Sequence, residues 1–211
     1  MDLNDFREEY NKAVLDTDRL PENPLTLFHQ WLEEAIQSGQ PEPNAMTLAT
    51  VTQDNRPAAR VVLLKEVAGD HFIFYTNYES QKGRELAANP HAALVFLWLD
   101  MQRQVRVSGP AEKVSTDKSD AYFAARPEES QIGALASPQS QTIDSRESLE
   151  KKFAALKTQI QEKTIERPKH WGGYQVKVEQ IEFWQGRQNR LHDRFLYTKE
   201  GNHWYRQRLA P

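Results

Sequence analysis

The chain has 211 residues and a net charge of −3, and it contains no cysteine. Without cysteine it can form no disulfide framework, thiolate–metal site, iron–sulfur cluster or thiol nucleophile. Apolar residues make up 38% of the sequence and aromatic residues 10%, which is enough for a packed core and excludes global disorder.

Hydropathy and charge also restrict the location and the partners. The longest apolar run, 92–99, is far shorter than the ~20 residues of a membrane-spanning helix, and the acidic N-terminus lacks the apolar stretch of a signal peptide. We therefore expect a cytoplasmic protein with no membrane partner. An acidic chain is a poor nucleic-acid binder, so we expect no nucleic-acid partner either. The basic region 167–211 favours a small anionic ligand instead, although it could simply complement the acidic region 1–45.

The first half of the chain predicts helices set among strands. Asn23-Pro24 predicts a helix start, and apolar residues then recur at helical spacing up to Gly39. Ser80 predicts the cap of a short helix that ends before Pro90. Apolar runs bounded by turn residues predict strands at 46–53, 58–67, 71–77, 91–99 and 101–114.

The second half predicts two more helices and a final set of strands. Thr116 predicts a cap for a helix that runs to the Pro127 turn, and 144–147 resembles a capping box for a second helix. Alternating apolar residues from Tyr174 predict a strand whose phase slips before Ile181, which indicates a β-bulge. The last two strands, 194–199 and 203–209, predict a hairpin. The order favours an α+β fold with an antiparallel β-barrel, in a single domain covering 1–211.

Several common catalytic signatures are missing from the sequence. It has no Gly-rich dinucleotide motif, no P-loop and no nucleophile elbow. Its six histidines are scattered without metal-ligand spacing, so we expect no metal site. His29, on the first helix, is expected at the surface or at its boundary.

Cations at strand and helix ends indicate an anion site. In RVVLLK, Arg60 and Lys65 flank an apolar run that predicts a strand buried on both faces, so each cation needs either a carboxylate partner or a bound anion. Lys82 lies in the first turn of the helix that Ser80 opens, where the helix dipole disfavours a cation unless an anion binds. Arg60 and Lys82 would together form a phosphate site; a capped surface helix is the alternative.

Two later stretches add polar and aromatic groups. Gln104 lies midway along a predicted strand, where its amide could bond the edge of a heteroaromatic ring; a solvated strand face is the alternative. Arg190, His192 and Arg194 occupy alternate positions, so an extended chain would point all three the same way. Trp184 lies close in sequence. Cations beside an aromatic plane suit a planar anionic ligand, and an exposed charged strand is the alternative.

These motifs together resemble one known family. RVVLLK, FYTN.ESQKGRELAANP, RQVRVSGPAEKVS, YF..RP..SQIGA, FWQG...RLHDRF and the terminal RLAP are similar to the pyridoxine/pyridoxamine 5′-phosphate oxidases over nearly the whole chain. The resemblance implies a split β-barrel that binds FMN at a homodimer interface. It implies oxidation of pyridoxine or pyridoxamine 5′-phosphate to pyridoxal 5′-phosphate, with O2 reoxidising the flavin to give H2O2.

The resemblance also implies roles for individual residues. FMN contacts are implied for Arg60, Val61, Val62, Leu63, Leu64, Lys65, Tyr75, Thr76, Gln81, Lys82, Gln104, Gln139, Ser140, Trp184 and Arg194. Substrate contacts are implied for Lys65, Tyr122, Arg126, Ser130, Arg190, Leu191 and His192, with Arg190 and His192 as catalytic residues. Arg7, Glu8, Glu9 and Tyr10 are implied to form a lid, in a flexible segment 1–20.

Three positions depart from the family pattern. Gln81 replaces an arginine that is frequent before the lysine, so FMN binding should either be weaker or depend more on Arg60 and Lys82. Pro138 stands where a basic residue is common, and Glu42 where the family can place an aspartate. A non-catalytic FMN or pyridoxal phosphate carrier and a nicotinamide-dependent flavin reductase are the competing functions.

Overall fold

The computed structural model of the chain describes residues 1–5, 9–160 and 164–211. Within them the helices are α1 (Pro24–Gln37), α2 (Gln81–Ala88), α3 (Thr116–Ala124), α4 (Glu128–Ala136) and α5 (Arg146–Ile160). The strands are β1 (Ala45–Val51), β2 (Pro57–Leu63), β3 (Glu66–Ala68), β4 (His71–Asn77), β5 (His91–Trp98), β6 (Arg103–Lys113), β7 (Trp171–Lys177), β8 (Gln180–Gln185), β9 (Asp193–Glu200) and β10 (His203–Leu209). None of these helices has the length and apolar character needed to cross a membrane.

Helix α1 closes the core, as its sequence pattern predicts. Asn23 caps it, because its Oδ1 accepts a hydrogen bond of 3.0 Å from the Leu25 N–H, and Gly39 ends it in the left-handed conformation. Phe28 is fully buried, with its ring centroid 4.7 Å from that of Phe72 and 5.1 Å from that of Phe96. His29 lies on the exposed face of the helix, which confirms its expected surface position.

The strands form one branched antiparallel sheet. Its main path has the order β10-β9-β8-β6-β5-β1-β2, and every pair along it is antiparallel. The long strand β6 also pairs with β7 through its last residues, and β7 continues the sheet into β4 and β3. The prediction of an α+β fold on an antiparallel sheet is confirmed. The single domain and the flexible segment 1–20 stay predictions.

The phase slip before Ile181 is a one-residue shift of register against β6, where Ala111 pairs with Val176 but Ser108 pairs with Gln180, so the predicted bulge is confirmed. Strand β7 pairs with β4, whereas β8 pairs with β9, and the chain changes branch at residues 178–179. At this crossing a Cβ on Gly109 would lie 1.8 Å from the Lys177 carbonyl oxygen. Only glycine lets β6 approach the crossing chain so closely.

Two helix caps differ from the prediction by one residue. Ser115, rather than Thr116, caps α3, because its Oγ accepts a bond of 3.2 Å from the Lys118 N–H. At α5 the Oγ of Ser145 accepts a bond of 3.0 Å from the Ser148 N–H, so the cap is not Asp144. Adjacent capping residues compete for the same free N–H groups, and the sequence does not decide between them.

Strand β2 is an edge strand, and the prediction of a strand buried on both faces is wrong. β1 is its sheet neighbour, the strand ends at Leu63, and the side chain of Val61 is 67% exposed. An apolar run is compatible with a strand buried in the core and with an edge strand whose apolar face forms an interaction surface. The sequence pattern does not distinguish these two cases.

Candidate active site

A cleft of about 690 Å³ brings together many of the predicted site residues. We call it the β2–α3 cleft, because β2, β4 and the α3–α4 turn form its walls. It is lined by Arg60, Val61, Val62, Leu63, Lys65, Tyr75, Thr76, Lys82, Tyr122, Arg126, Pro127, Ser130, Gln139, Ser140 and Trp171. A larger open groove of about 860 Å³ runs along 17–23 and β10, but the cation among its lining residues, Arg206, is exposed.

Lys82 is a buried cation at one end of the cleft. It lies in the first turn of α2, whose cap Ser80 was predicted correctly, and is 9% exposed. Its Nζ lies 3.5 Å from the Ser80 Oγ and 3.3 Å from the Gln139 Oε1, and it forms no ion pair with any described residue. Burial, together with the nearby charge of Arg60, lowers the pKa of Lys82. A bound anion would remove this penalty, because it would compensate the desolvated charge.

Arg60 has a carboxylate partner. Of the two alternatives that the sequence left open for this cation, a carboxylate or a bound anion, the structure shows the first. Its Nη2 lies 2.8 Å from the Oε2 of Glu85, and it also donates to the Thr50 hydroxyl. Burial would raise the pKa of Glu85, but hydrogen bonds from Thr50, Gln81 and Arg60 lower it below the usual value, so the carboxyl is ionised. Lys65, at the other end of the motif, is exposed and forms no ion pair with the described part of the chain.

Two predicted cofactor contacts lie away from the cleft lining. The Gln81 amide donates to the Glu85 Oε1 at 2.8 Å, so it faces the same carboxylate as Arg60. Leu64 is 5% exposed and belongs to the core, while its N–H donates to the Asn44 carbonyl at 2.8 Å. Both roles stay predictions.

Arg126 is a second cation in the cleft, in the turn between α3 and α4. Its Cζ lies 4.5 Å from the ring centroid of Trp171, and its buried Nη1 has no hydrogen-bond partner among the described residues. Desolvation by burial lowers its pKa. Ser130 follows in the first turn of α4, also against the cleft.

Aromatic rings hold this part of the cleft rigid. Tyr122 stacks on Tyr75 with 3.7 Å between ring centroids, and Trp171 lies parallel to both rings. A Cβ on Gly173 would lie 2.9 Å from Tyr75, so this glycine makes room for the stack. The sequence reasoning missed Trp171, and its only local signal is the Trp171-Gly172-Gly173 run that opens β7.

The remaining predicted residues lie on a different part of the same sheet. Gln104, Trp184 and Arg194 are register partners on β6, β8 and β9, and we call them the outer row. Their sequence neighbours Val105, Phe183 and Phe195 are buried in the core, so the outer row faces the opposite side of the sheet. Arg194 is held by Glu182 at 2.8 Å and donates to the Ala210 carbonyl at 2.9 Å.

Residues 190–194 are not extended throughout, so the condition under which Arg190, His192 and Arg194 would point the same way is not met. Residues Gln188–Arg190 form a single 3-10 turn, and both Asn189 and Arg190 have positive φ. The turn is closed by His192, whose Nδ1 accepts a hydrogen bond of 3.1 Å from the Arg187 N–H. Buried Asp193 binds Arg187 at 2.7 Å and thereby fixes the other side of the turn. Long-range packing of Asp193, which the alternating pattern does not report, therefore decides the local conformation.

His192 has a defined tautomer next to the outer row. Because Nδ1 accepts a hydrogen bond, the neutral ring carries its proton on Nε2, which is a donor. Desolvation and the charge of Arg190 lower the pKa of His192, so the neutral form dominates at pH 7. The ring centroid lies 4.6 Å from that of Trp184. Leu191, beside it, is 68% exposed.

Part of the predicted lid lies against this histidine. The ring of Tyr10 meets Trp184 edge-on at 5.8 Å and His192 at 5.7 Å, measured between ring centroids. Glu9 is exposed, and Arg7 and Glu8 lie outside the described residues.

The chain is similar to known proteins over its whole length. Residues 32–160 match a family model described as pyridoxamine 5′-phosphate oxidase, and residues 171–211 match one described as the pyridoxine 5′-phosphate oxidase C-terminal dimerisation region. A pyridoxine/pyridoxamine 5′-phosphate oxidase of Rubrobacter xylanophilus is 52% identical over 210 residues, which are 100% of this chain and 97% of the relative. One of Thermosynechococcus vestitus is 52% identical over 207 residues, 98% of each chain.

A solved structure has the same fold. PhzG from Burkholderia lata, crystallised with tetrahydrophenazine-1-carboxylic acid, superimposes with a TM-score of 0.88 at 32% identity, over 94% of this chain and 98% of its own. The antiparallel sheet described above is therefore a split β-barrel of this type.

Proposed function

Because the chain belongs to the pyridoxamine 5′-phosphate oxidase family, we propose that it oxidises pyridoxine 5′-phosphate or pyridoxamine 5′-phosphate to pyridoxal 5′-phosphate, with FMN as cofactor. The observation that carries this proposal is the pair of cations in the β2–α3 cleft. Lys82 and Arg126 are partly or wholly buried, and neither has a carboxylate partner among the described residues. Two such cations in one cleft fit two phosphate-bearing ligands, a cofactor and a substrate.

The residues at the α2 end of the cleft fit the FMN phosphate. Lys82 supplies a charge that no carboxylate of the described residues pairs with. Thr76 donates its hydroxyl to the Gln139 Oε1 at 3.2 Å, which places polar groups around the Lys82 ammonium. The stretch from Arg60 to Lys65 would contact the flavin, with Leu64 limited to its backbone, as would Tyr75, Gln81 and Ser140. The outer row, Gln104, Trp184 and Arg194, would complete its binding from the partner subunit.

The α3–α4 turn fits the substrate phosphate. Tyr122, Arg126 and Ser130 line the cleft from this turn, and Lys65 faces them from the end of β2. A phosphate here would give the buried Arg126 Nη1 the acceptor that it lacks within the described chain. Lys65 would touch both ligands, which places the substrate against the flavin.

The positions of the two half-sites fit the homodimer that the C-terminal dimerisation region indicates. The cleft lies at β2, and Trp184 lies on β8, four strands away in the order β8-β6-β5-β1-β2. Strands are ~4.8 Å apart, so about 19 Å, measured along the sheet, separates β8 from β2. Val61 and Leu97 are 67% and 54% exposed on the same face as the outer row. A two-fold dimer packed on this face would bring the outer row of one subunit to the cleft of its partner.

The protein's contribution to the chemistry is binding and alignment. Bound FMN supplies the hydride acceptor and the reactivity toward O2 that yields H2O2. The chain fixes the substrate phosphate with Arg126, and His192 offers its Nε2–H to the phenolic oxygen of the pyridine ring, while Arg190 orients the same ring. The balance is one substrate and one O2 giving pyridoxal 5′-phosphate and H2O2, with water consumed and ammonia released for the amine. No acid–base dyad is needed for hydride transfer between two aligned rings.

An assay of the purified protein tests the function directly. We expect yellow protein that consumes O2 and releases H2O2 when pyridoxamine 5′-phosphate is added. Colourless protein that stays inactive with added FMN would overturn the proposal. Ligand binding without turnover would indicate the carrier function, and NADPH oxidation without a vitamin B6 substrate would indicate a flavin reductase. We also propose that the enzyme acts in the cytoplasm.

Mixed dimers test the shared site. We expect Arg126→Met and Arg190→Ala homodimers to be nearly inactive at low substrate concentration. In each homodimer both active sites lack one of the two substrate-binding arginines. A mixed dimer, isolated with two affinity tags, should recover about half of the wild-type activity, since one of its two sites contains both intact residues. Activity no higher than that of the two parents would show that each site is built within one chain.

A further inference from the structure

Gln102 binds the N-terminal segment with every polar atom of its side chain. Its Oε1 accepts hydrogen bonds from the Asn11 N–H at 3.0 Å and the Lys12 N–H at 3.2 Å, and its Nε2 donates to the Glu9 carbonyl at 3.3 Å. The side chain is buried, with 8% of the residue exposed. Three partly buried hydrogen bonds to the main chain of residues 9–12, some 90 positions away, hold this segment in place.

The backbone of Gln102 is tied to the end of β8. It adopts the left-handed conformation, with φ 55° and ψ 42°, after the Leu99–Met101 turn. Its carbonyl accepts from the Gly186 N–H at 2.8 Å and from the Gln185 amide at 3.2 Å. One residue therefore joins residues 9–12 to the strand that carries Trp184.

Tyr10 lies inside this set of bonds and is aimed at the histidine. Its ring contacts Trp184 and His192, and a Cβ on Gly186 would lie 2.9 Å from the Tyr10 side chain. The close approach at Gly186 and the three bonds from Gln102 thus determine where the tyrosine ring sits. Two other bonds of this stretch start from side chains or residues outside the Tyr10 backbone: Lys12 Nζ donates to the Asp100 carbonyl at 2.7 Å at an exposed position, and the Leu15 N–H donates to Asp193 at 3.2 Å.

We propose that Gln102 is a positioning residue for substrate binding: it holds residues 9–12 so that Tyr10 closes the His192 side of the site. This inference rests on the proposed function. Gln102 touches neither ligand in this assignment, and it acts only through Tyr10. Loss of its side chain should therefore weaken substrate binding while leaving the bound substrate correctly aligned with the flavin.

Kinetics of the FMN-loaded dimer test the proposal. We expect Gln102→Ala to raise KM for pyridoxamine 5′-phosphate about tenfold with kcat within about twofold, the pattern of a lost binding interaction. Tyr10→Ala should do the same, and the double variant should be no worse than the more affected single variant, because both changes remove one contact. Gln102→Glu retains the oxygen that accepts from Asn11 and Lys12, and should recover part of the lost affinity. Gln53→Ala, at an exposed turn between β1 and β2, is the matched control with unchanged kinetics.

A second readout does not depend on turnover. Trypsin should cut after the exposed Lys12 faster in Gln102→Ala than in wild type or Gln53→Ala, because the segment is no longer held. Faster cleavage in a protein that does not oxidise the substrate would support the role of Gln102 while rejecting the proposed function. Additive effects of the two alanine variants, an unchanged KM, or a cleavage rate equal to that of wild type would each overturn the inference.

Discussion

Replacing Arg126 with methionine should lower kcat/KM for pyridoxamine 5′-phosphate by a few hundredfold while FMN stays bound. The guanidinium has a buried Nη1 with no partner in the described chain, and it rests on the Trp171 ring rather than on a carboxylate. Its charge is therefore fully available to a phosphate. Two charge-assisted hydrogen bonds to that phosphate are worth about 3–4 kcal/mol, which corresponds to this loss.

The same substitution lowers activity, but it should raise the thermal stability of the protein without substrate. Methionine still packs on Trp171 but removes a desolvated group that lacks a partner, so the melting temperature measured without substrate should rise. Arg84→Met is the matched control, since Arg84 is exposed on α2 and, in the described part of the chain, its side chain donates to the Glu79 carbonyl alone. A variant whose KM for the substrate equals that of wild type would show that the phosphate binds elsewhere.

Replacing Lys82 with methionine should weaken FMN binding about a hundredfold, which corresponds to about 2.7 kcal/mol. Arg60 already shares its charge with Glu85, and Gln81 donates to that same carboxylate, so the two groups add little net charge at this end of the cleft. Lys82 is the group there without a carboxylate partner among the described residues. The departure at Gln81 therefore makes FMN binding depend mainly on this lysine.

Two measurements check the role of Lys82. FMN titration by flavin fluorescence gives the affinity, and thermal unfolding with and without FMN gives the stability. We expect the apoprotein of Lys82→Met to be more stable than that of wild type, because a desolvated ammonium is removed, while the stabilisation by FMN becomes smaller. An unchanged FMN affinity would contradict the assignment of the phosphate site.

The pH dependence of FMN binding follows from the sign of the pKa shift. In the free protein, burial and Arg60 lower the pKa of Lys82, and a bound phosphate raises it again. Wild-type affinity should therefore fall as pH rises through the lowered pKa, because FMN then binds a lysine that has lost its proton. The methionine variant should lack this alkaline decline.

Local patterns in the sequence determined most of the secondary structure. The cap at Asn23, the helical spacing up to Gly39 and the turn between β9 and β10 depend on residues a few positions apart, and all appear as predicted. The motifs from RVVLLK to RLAP also sufficed to indicate the family, because each is a short run of residue types that can be recognised without the structure. Such local patterns did not decide which of two adjacent residues caps a helix: the caps of α3 and α5 are Ser115 and Ser145, each one residue from the predicted position.

Only the tertiary structure decided which charges are paired and where the chain turns. Arg60 pairs with Glu85, whereas Lys82 and Arg126 have no carboxylate partner within 1–5, 9–160 and 164–211. Asp193 binds Arg187 and Arg208, and the chain turns at 188–190 instead of extending. Trp171 and Gln102 owe their importance to groups 45 and about 90 residues away. The free energy of a buried charge or amide depends on what surrounds it in space, and residue type and spacing along the chain do not contain that information.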